Sequence, residues 1–365
     1  MIIKKLRFEN FRNLSTDEII PCEKVNVIYG DNAQGKTNLL EAIWLFCGGH
    51  SFRGAKENEL INFNDNFFKL TMDFYSQDRE QNAEISFSQN KKKIKLNGVE
   101  KSSSSYLTEV FSCVVFSPEN MTLVKRGPSL RRKFLDGAIC QQRIRYAAAL
   151  AKYNQIINQR NALLKDIYKH KELKETLPIW DDSLAVTGAI ILRERLDYIK
   201  NLKVYAQKFH DDISCSKEVL NIEYVSNCDV NEDDSIEIIT EKLREAYKNS
   251  RHDDYHTGYT NIGPHRDDME IKINDISAKT FGSQGQQRSA VLSLKLAQAQ
   301  MLFEKNLEKP VILLDDVLSE LDSKRQDFLL NKVEGYQVFV TCCEESNKEQ
   351  LKNGKIFYIN SGEVK

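Results

Sequence analysis

Apolar and polar positions follow two rhythms along the chain, and the rhythm changes more than once. Ile2-Ile3-Lys4-Lys5-Leu6-Arg7-Phe8 reads as an opening strand, and Lys24-Val25-Asn26-Val27-Ile28-Tyr29 as a buried one. From Asn38 to Cys47 the spacing becomes helical, with Leu40, Ile43, Trp44 and Cys47 at i, i+3, i+4 and i+7. Residues 67–74, 83–88 and 92–98 then read as antiparallel strands joined by polar turns, and Cys113-Val114-Val115-Phe116 as a buried strand running into Ser117-Pro118-Glu119-Asn120. From Pro128 the pattern is helical through Tyr168 and again from Trp180 to His210. Residues 221–250 are mixed, and 229–234 form an acidic solvated loop. Strand character returns at 268–273, a helix begins near Gln284 and runs through Phe303, and the segments 310–315, 336–341 and 355–359 read as further strands. This order predicts an α/β lobe built from residues 1–127 and 262–365, split by a mainly helical insertion over 128–261.

The stretch Gly30-Asp31-Asn32-Ala33-Gln34-Gly35-Lys36-Thr37 lies between the second strand and the first helix. It matches G-x-x-x-x-G-K-T, a pattern that needs just this strand–loop–helix setting. Its glycines let successive N–H groups turn inward toward phosphate oxygens, and the helix start at Asn38 adds a positive dipole end. Lys36 is expected on the β- and γ-phosphates and Thr37 on Mg²⁺. Arg12, in the turn before this strand, reads equally well as a returning nucleotide contact or as an ordinary surface arginine.

Composition narrows the picture. The 365 residues allow more than one lobe, and 41% hydrophobic with 29% charged residues is a globular profile. A formal net charge of -1 supplies no global field for nucleic acid, so such a partner needs a local basic patch. None of the eight cysteines forms a C-x-x-C pair, which predicts reduced, mostly buried thiols and no zinc site. The N-terminus has no apolar signal segment, and no run approaches the length needed to span a bilayer, so a cytoplasmic location is expected.

Two further stretches carry chemistry. Val311-Ile312-Leu313-Leu314-Asp315-Asp316 places carboxylates at the carboxyl end of an apolar strand, where α/β sheets hold ligands. Asp315 suits the Mg²⁺ of ATP beside Thr37, and Asp316 suits orientation or deprotonation of the attacking water. Gly282-Ser283-Gln284-Gly285-Gln286-Gln287-Arg288-Ser289 offers a hydroxyl, glycines and N–H groups at a helix start, an anion site or else a polar cap. Two such anion sites with one acidic strand suggest that each nucleotide lies between one chain's P-loop and a second copy's serine–glycine turn.

Taken together, the P-loop, the Ser283–Gln287 turn, the acidic strand and Ser319-Glu320-Leu321-Asp322 resemble the ATP-binding-cassette order of Walker A, signature, Walker B and D-loop. The signature reads Gly-Ser-Gln-Gly-Gln where transporters commonly have Leu-Ser-Gly-Gly-Gln. Residues 121–136 (Met121 to Asp136) and Gly263-Pro264-His265-Arg266-Asp267-Asp268 resemble the hallmarks of the RecF family of bacterial DNA-repair proteins. That resemblance implies an ABC/SMC-like ATPase head, with a mixed sheet, helices and an antiparallel β subdomain, but no long coiled coil. It implies a cytoplasmic, ATP-dependent homodimer on DNA, with slow hydrolysis. Work with RecO and RecR to bring RecA to gapped DNA, in replication restart and the SOS response, is implied too. By position, Lys36, Thr37 and Asp315 take the phosphate and metal roles, Asn38 adjoins them, and Ser283, Gly285 and Gln286 meet the γ-phosphate in trans. Glu119 stands in the loop equivalent to the Q-loop, without its glutamine. Asp316 stands where many cassette ATPases have glutamate, which suits a slow switch. Thr341, followed by Cys342-Cys343, stands at the strand end that usually precedes a switch histidine.

For DNA, the candidates are Arg53, Lys91, Lys92, Lys93, Lys95, Lys125, Arg126, Arg131, Arg132 and Lys133. The Arg131-Arg132 pair reads equally as structural, paired to carboxylates. No base-reading motif is present, so backbone-led, salt-sensitive binding is expected. A transporter ATPase subunit and a nucleotide-gated scaffold are the competing readings.

Overall fold

The computed structural model describes residues 1–15, 17–167, 170–342 and 354–365. The chain divides into two compact units, one of residues 1–122, 212–214 and 288–365, the other of 123–211 and 215–287. The sequence places the crossings at 127/128 and 261/262. The later return follows from β-pairing, since the strand at 268–273 forms its ladder with one at 220–225 inside the inserted segment.

In chain order, the first unit opens with β1 (Ile2–Glu9), β2 (Glu18–Ile19), β3 (Val25–Tyr29) and α1 (Lys36–Gly48). β4 (Phe67–Ser76), β5 (Arg79–Ser88), β6 (Lys91–Leu96), β7 (Val99–Lys101), β8 (Cys113–Phe116) and α2 (Pro118–Met121) follow. The second unit carries α3 (Pro128–Gln142), α4 (Ile144–Asp166), α5 (Leu177–Ser214), β9 (Leu220–Val225), α6 (Ile236–Thr257), β10 (Asp268–Ile273) and β11 (Ile276–Ser277). The helix α7 (Gln284–Asn306) leads to β12 (Val311–Leu314), α8 (Ser323–Lys332), β13 (Val338–Cys342), β14 (Lys355–Asn360) and β15 (Glu363–Val364).

Two six-stranded sheets shape the first unit. The antiparallel sheet has the order β2-β1-β4-β5-β6-β7. Its three tight hairpins turn on Gln77-Asp78, Gln89-Asn90 and Asn97-Gly98, each with both central residues at positive φ. That geometry matches the twist of the flanking strands. The other sheet has the order β15-β14-β3-β13-β12-β8, and all but β15 run parallel. Parallel strands covered on both faces read as continuous apolar runs, which is why β12 and β8 are fully buried along their length.

One hydrophobic cluster contains α1 together with residues of both sheets, among them Phe68, Ile85, Leu313 and Phe339. The sequence predicts a single apolar face for α1, but every residue from Leu39 to Cys47 is buried. A helix enclosed by two sheets has no solvent face. The reading of all eight cysteines as thiols also needs correction, because Cys47 of α1 and Cys113 of β8 are paired in a disulfide. Cys343 and Tyr168, each named in the sequence reading, lie outside the described residues.

Among the described residues, the second unit carries the α-helices α3 to α6 and the three-stranded sheet β11-β10-β9. Its interior is stitched by charge. Arg160, fully buried, donates to Asp181, Asp254 and Thr260 at 2.8–2.9 Å. Arg195 donates to Asp136, the Tyr146 and Tyr224 hydroxyls and the Pro264 carbonyl. Gly263, at φ +116, leaves room for the Tyr153 and Tyr247 hydroxyls where a side chain would stand. His265 accepts from Tyr153 and donates to the Thr260 carbonyl, and burial pushes its pKa down to about 4. The block Gly263–Asp268 is therefore a packed polar hub of this unit.

Candidate nucleotide-binding site

β3, β13, β12 and β8 end side by side, and the carboxyl edge they share is where a parallel sheet holds ligands. The P-loop leaves β3 here. Gly35 at φ +114 turns the chain into α1, and no side chain caps that helix start. A β-carbon on Gly30 would overlap the Ile359 carbonyl of β14, so glycine is required at the loop's first position. Lys36 Nζ donates to the carbonyls of Gly30 at 2.5 Å and Asp31 at 2.8 Å, folding its ammonium across the loop.

The loop is held from outside by groups the sequence reading did not single out. Gln34 Oε1 accepts from the Ser361 N–H at 2.5 Å, and the Gln34 carbonyl accepts from the Gly362 N–H at 3.0 Å and from Asn13 Nδ2 at 3.2 Å. Asn13 Oδ1 in turn accepts from Asn38 Nδ2 at 2.7 Å. The Gln34 side chain is thus turned to the Ser361-Gly362 hairpin. The only forward sign was the Ser-Gly turn following a strand.

Thr37 Oγ1 donates to Asp315 Oδ1 at 2.8 Å, joining the first residues of α1 to the end of β12. Asp315 is buried, and burial raises its pKa, opposed by hydrogen bonds from Thr37 and Thr341 and by the charge of Arg53. Asp316 follows at φ +50, part-exposed, with its N–H donating to Thr341 Oγ1 at 2.7 Å. Its carbonyl and carboxylate accept from Ser319 Oγ at 2.7 and 3.3 Å. A hydroxyl beside a buried carboxylate is a hard oxygen pair, the donor type Mg²⁺ takes. Glu119 of α2 lies just beyond β8, whose Phe116 carbonyl accepts from the Asp315 N–H at 2.8 Å.

The two arginines expected near ligands are tied to α1. Arg12, at φ +54, donates to Glu41 at 2.9 and 3.2 Å and to the Glu59 carbonyl at 2.8 Å. Glu41 is fully buried and also accepts from Ser51 Oγ. Arg53 donates to Asn38 Oδ1 at 3.0 Å, which brings it to the start of the P-loop helix.

In the other unit, the turn before α7 is a reciprocal cap. The Ser283 N–H donates to Gln286 Oε1 at 2.9 Å, and the Gln286 N–H donates to Ser283 Oγ at 3.2 Å. Gln286 Nε2 also donates to Glu218 at 2.8 Å, so this side chain is committed to shaping the turn around Gly285.

Two DNA candidates need correction. Lys92 turns inward to the Gly49 carbonyl, and burial lowers its pKa. Arg131 is buried, pairs with both oxygens of Asp268 at 2.7 Å and donates to the carbonyls of Leu123, Val124 and Arg126. Both side chains are consumed by folding. Arg132 is half-buried, with Nη1 on the Asp267 carbonyl at 2.7 Å, and Lys95 pairs with Glu84 at 3.1 Å. Lys91, Lys93, Lys125, Arg126 and Lys133 are exposed.

The family model for the RecF/RecN/SMC N-terminal domain matches residues 2–363. The DNA replication and repair protein RecF of Alkaliphilus oremlandii is 40% identical over 367 residues, covering 100% of both chains. The chain belongs to the RecF family. RecF of Thermoanaerobacter sp. (strain X514) is likewise 40% identical, over 100% of this chain and 99% of its own. A solved structure of the recombination mediator protein RecF-ATPrS in the RecFOR pathway superposes with a TM-score of 0.93 at 40% identity, covering 99% of this chain and 97% of that one. An Smc head domain from Pyrococcus furiosus, at 15% identity and a TM-score of 0.54, shares the fold. The RecF-type ABC/SMC ATPase fold expected from the motifs is thus the fold present, and no described helix is long and apolar enough to cross a membrane.

Proposed function

We propose that the chain is an ATP-dependent, DNA-binding recombination mediator whose nucleotide closes two copies together. The observation that carries this is the Thr37–Asp315 contact beneath the P-loop at the carboxyl edge of the parallel sheet. Full-length likeness to RecF proteins, one of them solved as RecF-ATP in the RecFOR pathway, supports ATP as the ligand.

In this reading Gly30, Asp31, Asn32, Ala33, Gln34 and Gly35 wrap the phosphates with backbone N–H groups, and Lys36 exchanges its two carbonyl partners for phosphate oxygens. Thr37 and Asp315 hold Mg²⁺, which when bound neutralises charge building on the β- and γ-oxygens. Asp316 accepts the proton of the attacking water as general base. Ser283, Gly285 and Gln286 of a second copy present the opposite anion site, their turn already shaped by the cap. Arg53, at the head of α1, contributes positive charge near the phosphates as well as toward DNA. Arg12 stays with Glu41 and supports the loop.

DNA contact falls to the exposed Lys91 and Lys93 of the first unit and to the exposed Lys125, Arg126 and Lys133 of the second, through phosphates and without base reading. Slow hydrolysis then resets the closed dimer. RecO and RecR are the partners, loading of RecA on gapped or junction DNA the outcome, and replication restart and SOS induction the cellular roles. Sedimentation velocity with Mg²⁺-ATP tests the scheme. Lys36→Ala stays monomeric, while Asp316→Asn accumulates as a dimer that outlasts the parent's. Two variants sedimenting as the parent does, with and without ATP, would overturn it.

A further inference from the structure

Thr341 is the last but one residue of β13, in a strand whose other residues are apolar or fully buried. Its hydroxyl does two things at once. It accepts the Asp316 N–H at 2.7 Å, and its single proton faces Asp315 Oδ1 at 3.3 Å and the Leu314 carbonyl at 3.5 Å. Register explains the placement: Leu314 pairs with Val340, so the next residue of β13 stands beside the point where β12 ends.

The chain at that point is in an unusual state. Asp316 has φ +50, a conformation that costs a residue with a side chain free energy and persists only where surroundings hold it. Here two hydroxyls hold it: Ser319 on its carbonyl side, and Thr341, which satisfies the N–H that the turn leaves outside the sheet ladder. Asp315 Oδ1 has a second donor in Thr37, at 2.8 Å. A hydroxyl that gives a lone pair to a metal keeps its proton, so Thr37 can go on donating to this oxygen with Mg²⁺ bound, and Thr341 donates to it as well. The Thr341 donor does not depend on the nucleotide.

We propose that Thr341 is a positioning residue that sets both carboxylates of the Asp315-Asp316 pair, by pinning the Asp316 backbone and steering Asp315. This rests on the ATP reading above. The contacts of this hydroxyl are to Asp316, Asp315 and Leu314, so it acts through the pair, governs metal-dependent tightening and turnover and leaves metal-free nucleotide affinity alone.

The test compares Thr341→Val, which keeps the shape and removes the hydroxyl, with Thr341→Ser, which keeps the hydroxyl. Amide hydrogen exchange is read first, on the protein alone. Protection of the Asp316 N–H falls at least tenfold in T341V and stays within about twofold of the parent in T341S. ATP affinity is then measured by calorimetry in EDTA and in Mg²⁺, with turnover alongside. In EDTA both variants bind as the parent does. The Mg²⁺-dependent gain in affinity and kcat each fall about tenfold in T341V, the size of losing one hydrogen bond to a charged group, and recover in T341S. T341V matching the parent in Mg²⁺ gain and kcat overturns the proposal. So does an equal loss of affinity with and without Mg²⁺, which marks a merely structural role. A parent that binds no ATP at all overturns the functional reading, and this inference with it. A T341V chain that does not fold leaves T341S to decide, where a tenfold loss of Mg²⁺ gain despite a retained hydroxyl contradicts the assignment.

Discussion

Arg131 and Lys125 stand six residues apart in one basic run, yet the fold gives them opposite work. Arg131 is buried on a bidentate carboxylate and caps three carbonyls, whereas Lys125 is exposed. Removing one partner of a buried pair strands the other, so Arg131→Ala should lower stability by about 2–3 kcal/mol, below the range for a fully buried pair because Asp268 keeps 28% exposure. Lys125→Ala should fall within about 0.5 kcal/mol of the parent. Urea melts decide it, and equal midpoints for R131A and the parent would refute the structural assignment. Charge alone in a sequence does not separate these roles. Burial does, and burial is set by partners such as Asp268 that are distant in the chain. Arg160 and Arg195 make the same point, since their acceptors come from several separate elements of the second unit.

Among elements, the P-loop shows what is local and what is not. Its strand, glycines, lysine and helix are contiguous, so the phosphate cradle was legible from eight residues and their flanks. The acidic strand was legible for the same reason. What holds the cradle was not, because Gln34 is gripped by Ser361 and Gly362 from the far end of the chain. The short strand β9 is hidden in a segment of mixed pattern, because its pairing partner β10 lies across a helix. Gly362 sits at φ +86, where a side chain would overlap the Asn13 carbonyl. Gly362→Ala should therefore displace the hairpin and weaken ATP binding by tenfold or more, although residue 362 contacts no phosphate in this reading. Ser361→Ala keeps the backbone donor and should bind as the parent does. Calorimetric titration with ATP checks both, and an unchanged affinity for G362A would show that the hairpin does not shape the loop.

At the scale of the whole molecule, the chain carries one P-loop, one acidic strand and one signature turn, and its net charge of -1 gives no general attraction to DNA. Membership in the RecF family accounts for that inventory if a nucleotide is enclosed by two copies, each giving the other its Ser283 turn. In the described chain this turn is preformed by its own cap and needs no ligand to take shape. An arginine at position 283 would put bulk and charge on the lid while leaving the P-loop untouched. The most direct measurement is sedimentation velocity of the parent and of Ser283→Arg with Mg²⁺-ATP, alongside calorimetry of ATP binding. The account predicts that S283R binds ATP as a monomer and does not dimerise while the parent does; an S283R chain that dimerises on ATP as fully as the parent would contradict it.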